Sequence, residues 1–171
     1  MKTIMIAAGL VALAALPASA QGGTQQEANA TFIGKDGKET GRATLTGTSA
    51  GVLIDLEVNG LPASQWVAFH VHETGTCDAS DGHKSAGGHF NPGGSADHGY
   101  LSENGPHAGD MPNQWVDGAG TLRAQVFNSM VTLDGDKAIR GKALMIHGGK
   151  DDYSSQPSGD AGDRQACAVI E

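Results

Sequence analysis

Positive charge is scarce in this chain of 171 residues, because 11 Lys and Arg stand against 19 Asp and Glu and give a formal net charge of −8. General nucleic-acid binding and docking on an anionic membrane both need a basic surface, so the composition disfavours both classes. Aromatic residues make up only 5%, so the core must be built mainly from Val, Leu, Ile and Ala. Hydrophobic residues still reach 39%, and acidic residues are spread among them, which favours one folded domain over disorder.

Long hydrophobic runs are also missing, with one exception near the N-terminus. A single lysine precedes an apolar stretch at residues 4–16, and Ala18-Ser19-Ala20 follows. This order is typical of a secretory signal peptide cleaved before Gln21. The alternative is a membrane anchor, but a span needs roughly 20 apolar residues. We therefore predict a signal peptide at 1–20, a flexible N-terminal segment at 21–27 and one domain at 28–171, with no membrane anchor after signal removal.

Cysteine is nearly absent, and the two that occur, Cys77 and Cys167, both lie in the expected mature chain. Export exposes them to an oxidising compartment, so the simplest interpretation is one disulfide. It would close a loop of about 90 residues, which chain-entropy arithmetic values at roughly 4–5 kcal/mol. Two unpaired buried thiols are the alternative.

Amphipathic helical windows are lacking, whereas apolar and polar residues alternate along most of the chain. The clearest case is Val52–Val58, where Leu53, Asp55 and Glu57 fall on the face opposite the other residues. Period two predicts antiparallel, half-buried strands. Eight segments are predicted as strands: 28–33, 43–46, 52–58, 66–72, 120–127, 129–133, 143–147 and 166–170. The sequence thus predicts an all-β domain, a two-sheet sandwich or flattened barrel.

Two regions break the alternation, at 73–118 and 148–163, and both have the composition of loops. A loop of more than about 40 residues in a compact domain is uncommon unless it has a function. Most of the seven histidines lie in or beside the first loop: His70, His72, His83, His89, His98, His107 and His147. His70 and His72 are two apart on a predicted strand, so they share a face. Imidazoles suit zinc and copper, and six or more imply more than one ion.

Four stretches together resemble the copper/zinc superoxide dismutase family, in its bacterial, periplasmic branch. They are Phe69-His70-Val71-His72-Glu73-Thr74-Gly75-Thr76-Cys77, Gly88-His89-Phe90-Asn91-Pro92, Gly141-Lys142-Ala143-Leu144-Met145-Ile146-His147 and Gly159-Asp160-Ala161-Gly162-Asp163-Arg164-Gln165-Ala166-Cys167. Their order and spacing match over essentially the whole mature chain. The resemblance implies an eight-stranded antiparallel Greek-key β-barrel with long functional loops, one copper and one zinc ion per subunit, and a periplasmic monomer or homodimer.

The resemblance also implies a role for each matching residue. Copper would be held by His70, His72, His89 and His147, and zinc by His89, His98, His107 and Asp110. Asp151 would link a copper histidine to a zinc histidine, Cys77 and Cys167 would form the family disulfide, and Arg164 would act with His89 in catalysis. His83 matches no ligand and is interpreted as a loop residue.

The implied activity converts superoxide to oxygen and hydrogen peroxide through alternating copper oxidation states. An anionic substrate and a net negative protein require a local positive region for capture, and Lys84 is the candidate that would steer with Arg164. Two alternatives remain, a periplasmic copper or zinc buffer and a sandwich adhesion or inhibitor module with incidental histidines. A metal buffer has no need of Arg164.

Overall fold

The computed structural model describes residues 26–171, so the predicted signal peptide lies outside the described residues. Nine strands are present in this part of the chain: β1 Gln26–Gly34, β2 Glu39–Thr48, β3 Gly51–Val58, β4 Gln65–Val67, β5 Phe69–His72, β6 Gln114–Val116, β7 Leu122–Asn128, β8 Ala143–His147 and β9 Arg164–Ile170. Two short 3-10 helices, η1 Ala79–Asp81 and η2 Lys84–Ala86, lie in the first long loop. Strand β1 pairs with β2 from Gln26 onward, so the sheet begins two residues before the predicted domain start at residue 28.

Seven strands form one antiparallel sheet in the order β5-β8-β9-β1-β2-β3-β7, and β4 pairs with β6 in a separate two-stranded ribbon. The all-β antiparallel fold predicted from the sequence is confirmed. Alternation explains it: in β3, Val52, Ile54, Leu56 and Val58 are buried, while Asp55 and Glu57 are exposed. Strands such as β3 bury one face, whereas β5 and β8 are buried on both, and together they build a large core of mainly aliphatic residues and phenylalanines.

Of the eight predicted strands, one is absent from the structure and one is divided in two, and one observed strand was not predicted. Residues 129–133 form a turn with an isolated bridge from Thr132 to Ala138 instead of a strand. The segment 66–72 divides at Ala68 into β4 and β5, which belong to different sheets. Strand β6 lies within the predicted loop and places Trp115 opposite Trp66.

The predicted disulfide between Cys77 and Cys167 is confirmed. It fastens the first long loop to β9, whose first residue is Arg164. The loop is therefore fixed to the strand that carries a predicted catalytic residue. Within residues 26–171, no helix is both long and apolar enough to cross a membrane.

Candidate metal centre

Strand β5 forms one wall of the site. Phe69 and Val71 enter the core, while His70 and His72 project from the opposite face, as their spacing predicts. Isolated antiparallel bridges place His89 beside His72 and Asp110 beside His70. The register of β8 with β9 then sets His147 opposite Arg164. Residues far apart in the chain are in this way brought to one end of the sheet.

Four histidines converge in one buried cluster. Potential ligand atoms of His70, His72, His89 and His147 all lie within 4.8 Å of one another. His70 Nδ1 and the Nε2 atoms of the other three are buried and have no hydrogen-bond partner. Because an unpaired buried polar atom is costly, four such atoms facing one another indicate a cation-binding site.

The second nitrogen of each ring is held from outside the cluster. His70 Nε2 lies 2.8 Å from Asp151 Oδ2, and His72 Nδ1 lies 2.9 Å from the Gly87 carbonyl. His147 Nδ1 lies 3.4 Å from the carbonyl of Gly162. Hydrogen bonds of this kind fix the tautomer and the ring orientation of metal-binding histidines.

A second cluster surrounds Asp110 and shares His70 and His89 with the first. Ligand atoms of His70, His89, His98 and Asp110 lie within 4.8 Å of one another. His89 Nδ1 is 2.8 Å from Asp110 Oδ1, His98 Nδ1 is 3.2 Å from Oδ2, and His107 Nδ1 is 3.5 Å from Oδ1. Both His98 Nδ1 and His107 Nδ1 lack a hydrogen-bond partner. His89 is thus the ring with one nitrogen in each cluster.

The electrostatics of the two clusters differ. Burial lowers the pKa of His70 to about 4 and that of His147 to about 3, so these imidazoles are neutral and offer a lone pair. Burial acts in the same direction on His98, but its contacts with Asp110 and Asp151 outweigh it and raise the pKa to about 9. Burial disfavours charge on Asp110 as well, yet its close contacts with His89 and His98 hold its pKa well below the ordinary value.

Asp151 joins the two clusters. Its Oδ2 contacts His70 Nε2 at 2.8 Å, and its Oδ1 contacts His98 Nε2 at 2.9 Å. Asn113, which the sequence analysis missed, holds Asp151 in place: its Nδ2 donates to the Asp151 carbonyl, and its Oδ1 accepts from the Asp151 amide. An asparagine in a loop gives no sequence signal for this role, because the contact spans 38 residues.

Arg164 borders the histidine cluster. A cavity of about 360 Å³ is lined by Arg164 together with His72, His89 and His147. The guanidinium donates to the carbonyls of His83 and Gly87, each at 2.6 Å. These two bonds use two of its five N–H donors and fix its orientation beside the cavity.

Lys84 lies outside the histidine cluster, on a neighbouring depression of about 310 Å³ that Arg164 also lines. Lys35 lines the same depression and was missed by the sequence analysis; its Nζ lies 3.3 Å from Asp163 Oδ2. His83, interpreted as a loop residue, lies in the loop as expected but is completely buried.

The donor sets fit the two ions that the resemblance implies. Neutral imidazoles suit both copper and zinc, and a carboxylate beside imidazoles suits zinc. The shared imidazole of His89 is consistent with two ions held side by side. Among the described residues, the only two thiols are joined in the disulfide, so they are not available as ligands.

Comparison with known proteins agrees with this chemistry. A model of the family described as copper/zinc superoxide dismutase (SODC) matches residues 39–170. Copper-zinc superoxide dismutase 1 of Aquifex aeolicus is 49% identical over 148 residues, covering 84% of this chain and 86% of its own length. Copper-zinc superoxide dismutase 2 of that organism is 47% identical over 167 residues, covering 95% of this chain and 96% of its own.

Solved structures give the same result at the level of the fold. A SOD-like protein from Bacillus subtilis has a TM-score of 0.79 at 31% identity and covers 84% of this chain and 97% of its own. The Cu/Zn superoxide dismutase from Brucella abortus has a TM-score of 0.71 at 28% identity and covers 85% of this chain and 100% of its own. With a copper site at His70, His72, His89 and His147 and a zinc site around Asp110, the chain belongs to the copper/zinc superoxide dismutase family and is an enzyme of that family.

Proposed function

We propose that this dismutase works in the periplasm, as a monomer or homodimer, with the residue roles described below. The predicted signal peptide at 1–20 supports export, and a disulfide suits an oxidising compartment. The reaction takes two superoxide anions and two protons and yields one molecule of oxygen and one of hydrogen peroxide. The observation that carries the proposal is the set of four buried, unpartnered imidazole nitrogens facing one another.

Copper would be held by His70 Nδ1 and by the Nε2 atoms of His72, His89 and His147. When bound there, copper would supply one-electron chemistry, because it can alternate between two oxidation states. Neutral imidazoles tolerate both copper oxidation states, and the low pKa of His70 and His147 keeps protons from competing for the nitrogens.

Zinc would be held by the Nδ1 atoms of His89, His98 and His107 and by Asp110. His107 is a better fourth ligand than His70, although His70 lies within the geometric cluster. The reason is that His70 Nε2 is engaged by Asp151, which leaves Nδ1 for the other cluster. His107 Nδ1 has no competing partner and lies 3.5 Å from Asp110 Oδ1. Three imidazoles and one carboxylate make a closed site of the structural kind.

His89 Nε2 would carry a proton next to the substrate whenever it is not bound to copper. His89 is 8% exposed and lines the cavity that would admit the anion. A cation at Nδ1 lowers the proton affinity of the ring, which favours release of that proton toward peroxide. Asp151 would keep His70 and His98 oriented while His89 changes its protonation.

Arg164 would bind the anion. Arg164 lines the same cavity as His72, His89 and His147, and a guanidinium pairs well with a small anion. The carbonyls of His83 and Gly87 keep the side chain in place, so little ordering is needed when the anion arrives.

Removing one copper-facing imidazole tests these assignments. We expect His147→Ala to lower the rate of dismutation by at least about 100-fold, because copper would lose the ligand that lies opposite Arg164. The disulfide and zinc binding should persist, since His147 lies outside the Asp110 cluster. The measurement is metal stoichiometry alongside superoxide consumption; dismutation at the normal rate would reject the assignment. A metal-loaded wild-type protein without activity would favour a metal buffer.

Lys84 is proposed to steer superoxide toward Arg164. It is exposed, and it shares a depression with Lys35 and Arg164 on a protein whose net charge is −8. We expect Lys84→Glu to lower the bimolecular rate about threefold to tenfold at low salt, with a smaller loss as salt rises.

The matched control is Lys137→Glu, because it makes the same change in net charge at an exposed lysine between β7 and β8. The rate and its salt dependence are measured for both variants. The steering role is rejected if the rate and salt dependence of Lys84→Glu equal those of Lys137→Glu or of the wild type.

A further inference from the structure

His83 is a buried imidazole that the proposed chemistry does not use. It is 0% exposed, and its backbone is left-handed, with φ 61° and ψ 21°. Residues other than glycine rarely adopt this left-handed backbone conformation, and they do so where the surrounding structure holds them in it. The preceding residue, Gly82, is also left-handed at φ 69°, and glycine would occupy position 83 at lower strain. Contacts of the buried His83 ring must therefore compensate for the strain of its left-handed backbone.

The ring lies where the first long loop meets the end of β1. Burial has the largest effect on the pKa of the ring and lowers it, whereas Asp81 and the backbone of Gly34, the last residue of β1, raise it. Neither ring nitrogen has a hydrogen bond of normal geometry. Burial thus keeps the ring neutral, so that it does not repel Arg164.

The backbone of the same residue holds Arg164. The His83 carbonyl accepts from Arg164 Nη1 at 2.6 Å and from the Ala86 amide at 3.2 Å. The Gly87 carbonyl, just after η2, accepts from Nη2 at 2.6 Å. The His83 amide donates to the Asp78 carbonyl at 2.7 Å, which fixes the start of the turn. The two carbonyls form a cradle whose spacing depends on the backbone at residue 83.

We propose that His83 is a positioning residue for Arg164, because its buried ring locks the loop against β1 and so sets the carbonyl cradle that orients the guanidinium. The inference rests on the proposed anion-binding role of Arg164. Gly87 extends the consequence to the copper cluster, since its carbonyl also contacts His72 Nδ1 at 2.9 Å. A shift of the two carbonyls would thus change the orientation of both the Arg164 guanidinium and the His72 ring.

The test replaces His83 by glycine, which removes the ring and accepts the left-handed backbone. The first readout is hydrogen exchange of the Arg164 side-chain N–H groups, followed by NMR in the metal-free, disulfide-bonded protein. The second is azide affinity of the copper- and zinc-loaded protein. We expect faster exchange and an azide affinity about threefold to tenfold weaker.

Ser64→Gly is the matched control, since Ser64 is likewise left-handed at φ 57° but lies between β3 and β4, away from the cradle. It should leave both readouts at wild-type values. If His83→Gly does not fold with its disulfide formed, His83→Asn takes its place, because asparagine also tolerates left-handed backbone and lacks the ring.

A double-mutant cycle with Arg164→Ala decides whether His83 acts through the arginine. The proposal requires that His83→Gly cause no further loss of azide affinity in the Arg164→Ala background. It is overturned if His83→Gly leaves both readouts unchanged, or if the loss persists without Arg164. If Arg164→Ala alone leaves azide affinity unchanged, the anion-binding role fails instead, and the exchange of Arg164 still decides whether His83 positions it.

Discussion

Each imidazole in the metal centre has two distinct nitrogens, and the structure uses them differently. His72 turns Nδ1 outward to the Gly87 carbonyl and leaves Nε2 free, whereas His70 turns Nε2 outward to Asp151 and leaves Nδ1 free. The outer bond selects which nitrogen meets the metal. Changing an outer partner should therefore alter metal binding without removing a ligand.

Asp110 is the residue on which the zinc cluster depends. Its carboxylate contacts His89 and His98. It also accepts hydrogen bonds from the backbone amides of Gly99 and His107, at 2.9 and 3.0 Å. We expect Asp110→Ala to weaken zinc at least about tenfold and to loosen the loop that carries those amides. Zinc affinity by competition with a chelator gives the measurement.

Asp97→Ala is the control for this prediction, because Asp97 is an exposed acid in the same loop. Among residues 26–171 its side chain accepts a single hydrogen bond, from Asn104 at 3.4 Å. The zinc affinity of the Asp97→Ala variant should equal that of the wild type. Unaltered zinc affinity in Asp110→Ala would remove Asp110 from the zinc site.

Strand pairing, at the scale of the elements, explains how remote residues meet. The β8–β9 register places His147 opposite Arg164, and the disulfide fastens the loop that contains Cys77 to β9. The loop also pairs back onto β5, with Val71 exchanging hydrogen bonds with Gly109 and Phe90 at 2.8 Å. Long loops in this fold are thus ordered by strand contacts at their metal-binding residues.

Alternation predicted most strands because burial on one face leaves a period of two in the sequence. The same pattern was wrong at 129–133, where Val131 and Leu133 are buried and Thr132 is exposed. There the backbone closes on itself, with the Thr132 amide donating to the Lys137 carbonyl at 3.0 Å. Period-two burial arose from a turn that packs on the core. Strand β6 was missed because three residues are too few to show a period.

The metal-facing histidines could be predicted because their motifs resemble those of a known family. Asn113, Lys35 and the burial of His83 could not, because each depends on contacts between segments distant in sequence. Asn113 meets Asp151 across 38 residues, and Lys35 meets Asp163 across 128. A sequence pattern reports local periodicity and gives no distance between such segments.

At the scale of the whole molecule, the buried imidazoles make the metal-free protein sensitive to pH. His70 and His147 have an ordinary pKa of 6.5 and folded values of about 4 and about 3, because burial disfavours their charged forms. Below pH 6.5 the unfolded chain binds protons that the folded chain does not, so stability is lost as pH falls toward the folded values. His98 acts in the opposite sense: its pKa of about 9 contributes stability that is present below 6.5 and lost as pH rises through 9.

The metal-free, disulfide-bonded protein should therefore be most stable near pH 6.5 to 7 and should unfold more readily on both sides. Five histidines with a lowered pKa outweigh the one that is raised: His70, His72, His83, His107 and His147 against His98. We expect the melting temperature to fall by roughly 5–10 °C between pH 7 and pH 5. His147→Ala removes one of these lowered groups, so the melting temperature of the variant should depend less on pH over this range. Calorimetry of both proteins gives the slopes. Equal slopes would mean that the His147 ring is not held neutral by burial, and the cluster would then lack the proton-free imidazoles on which copper binding depends.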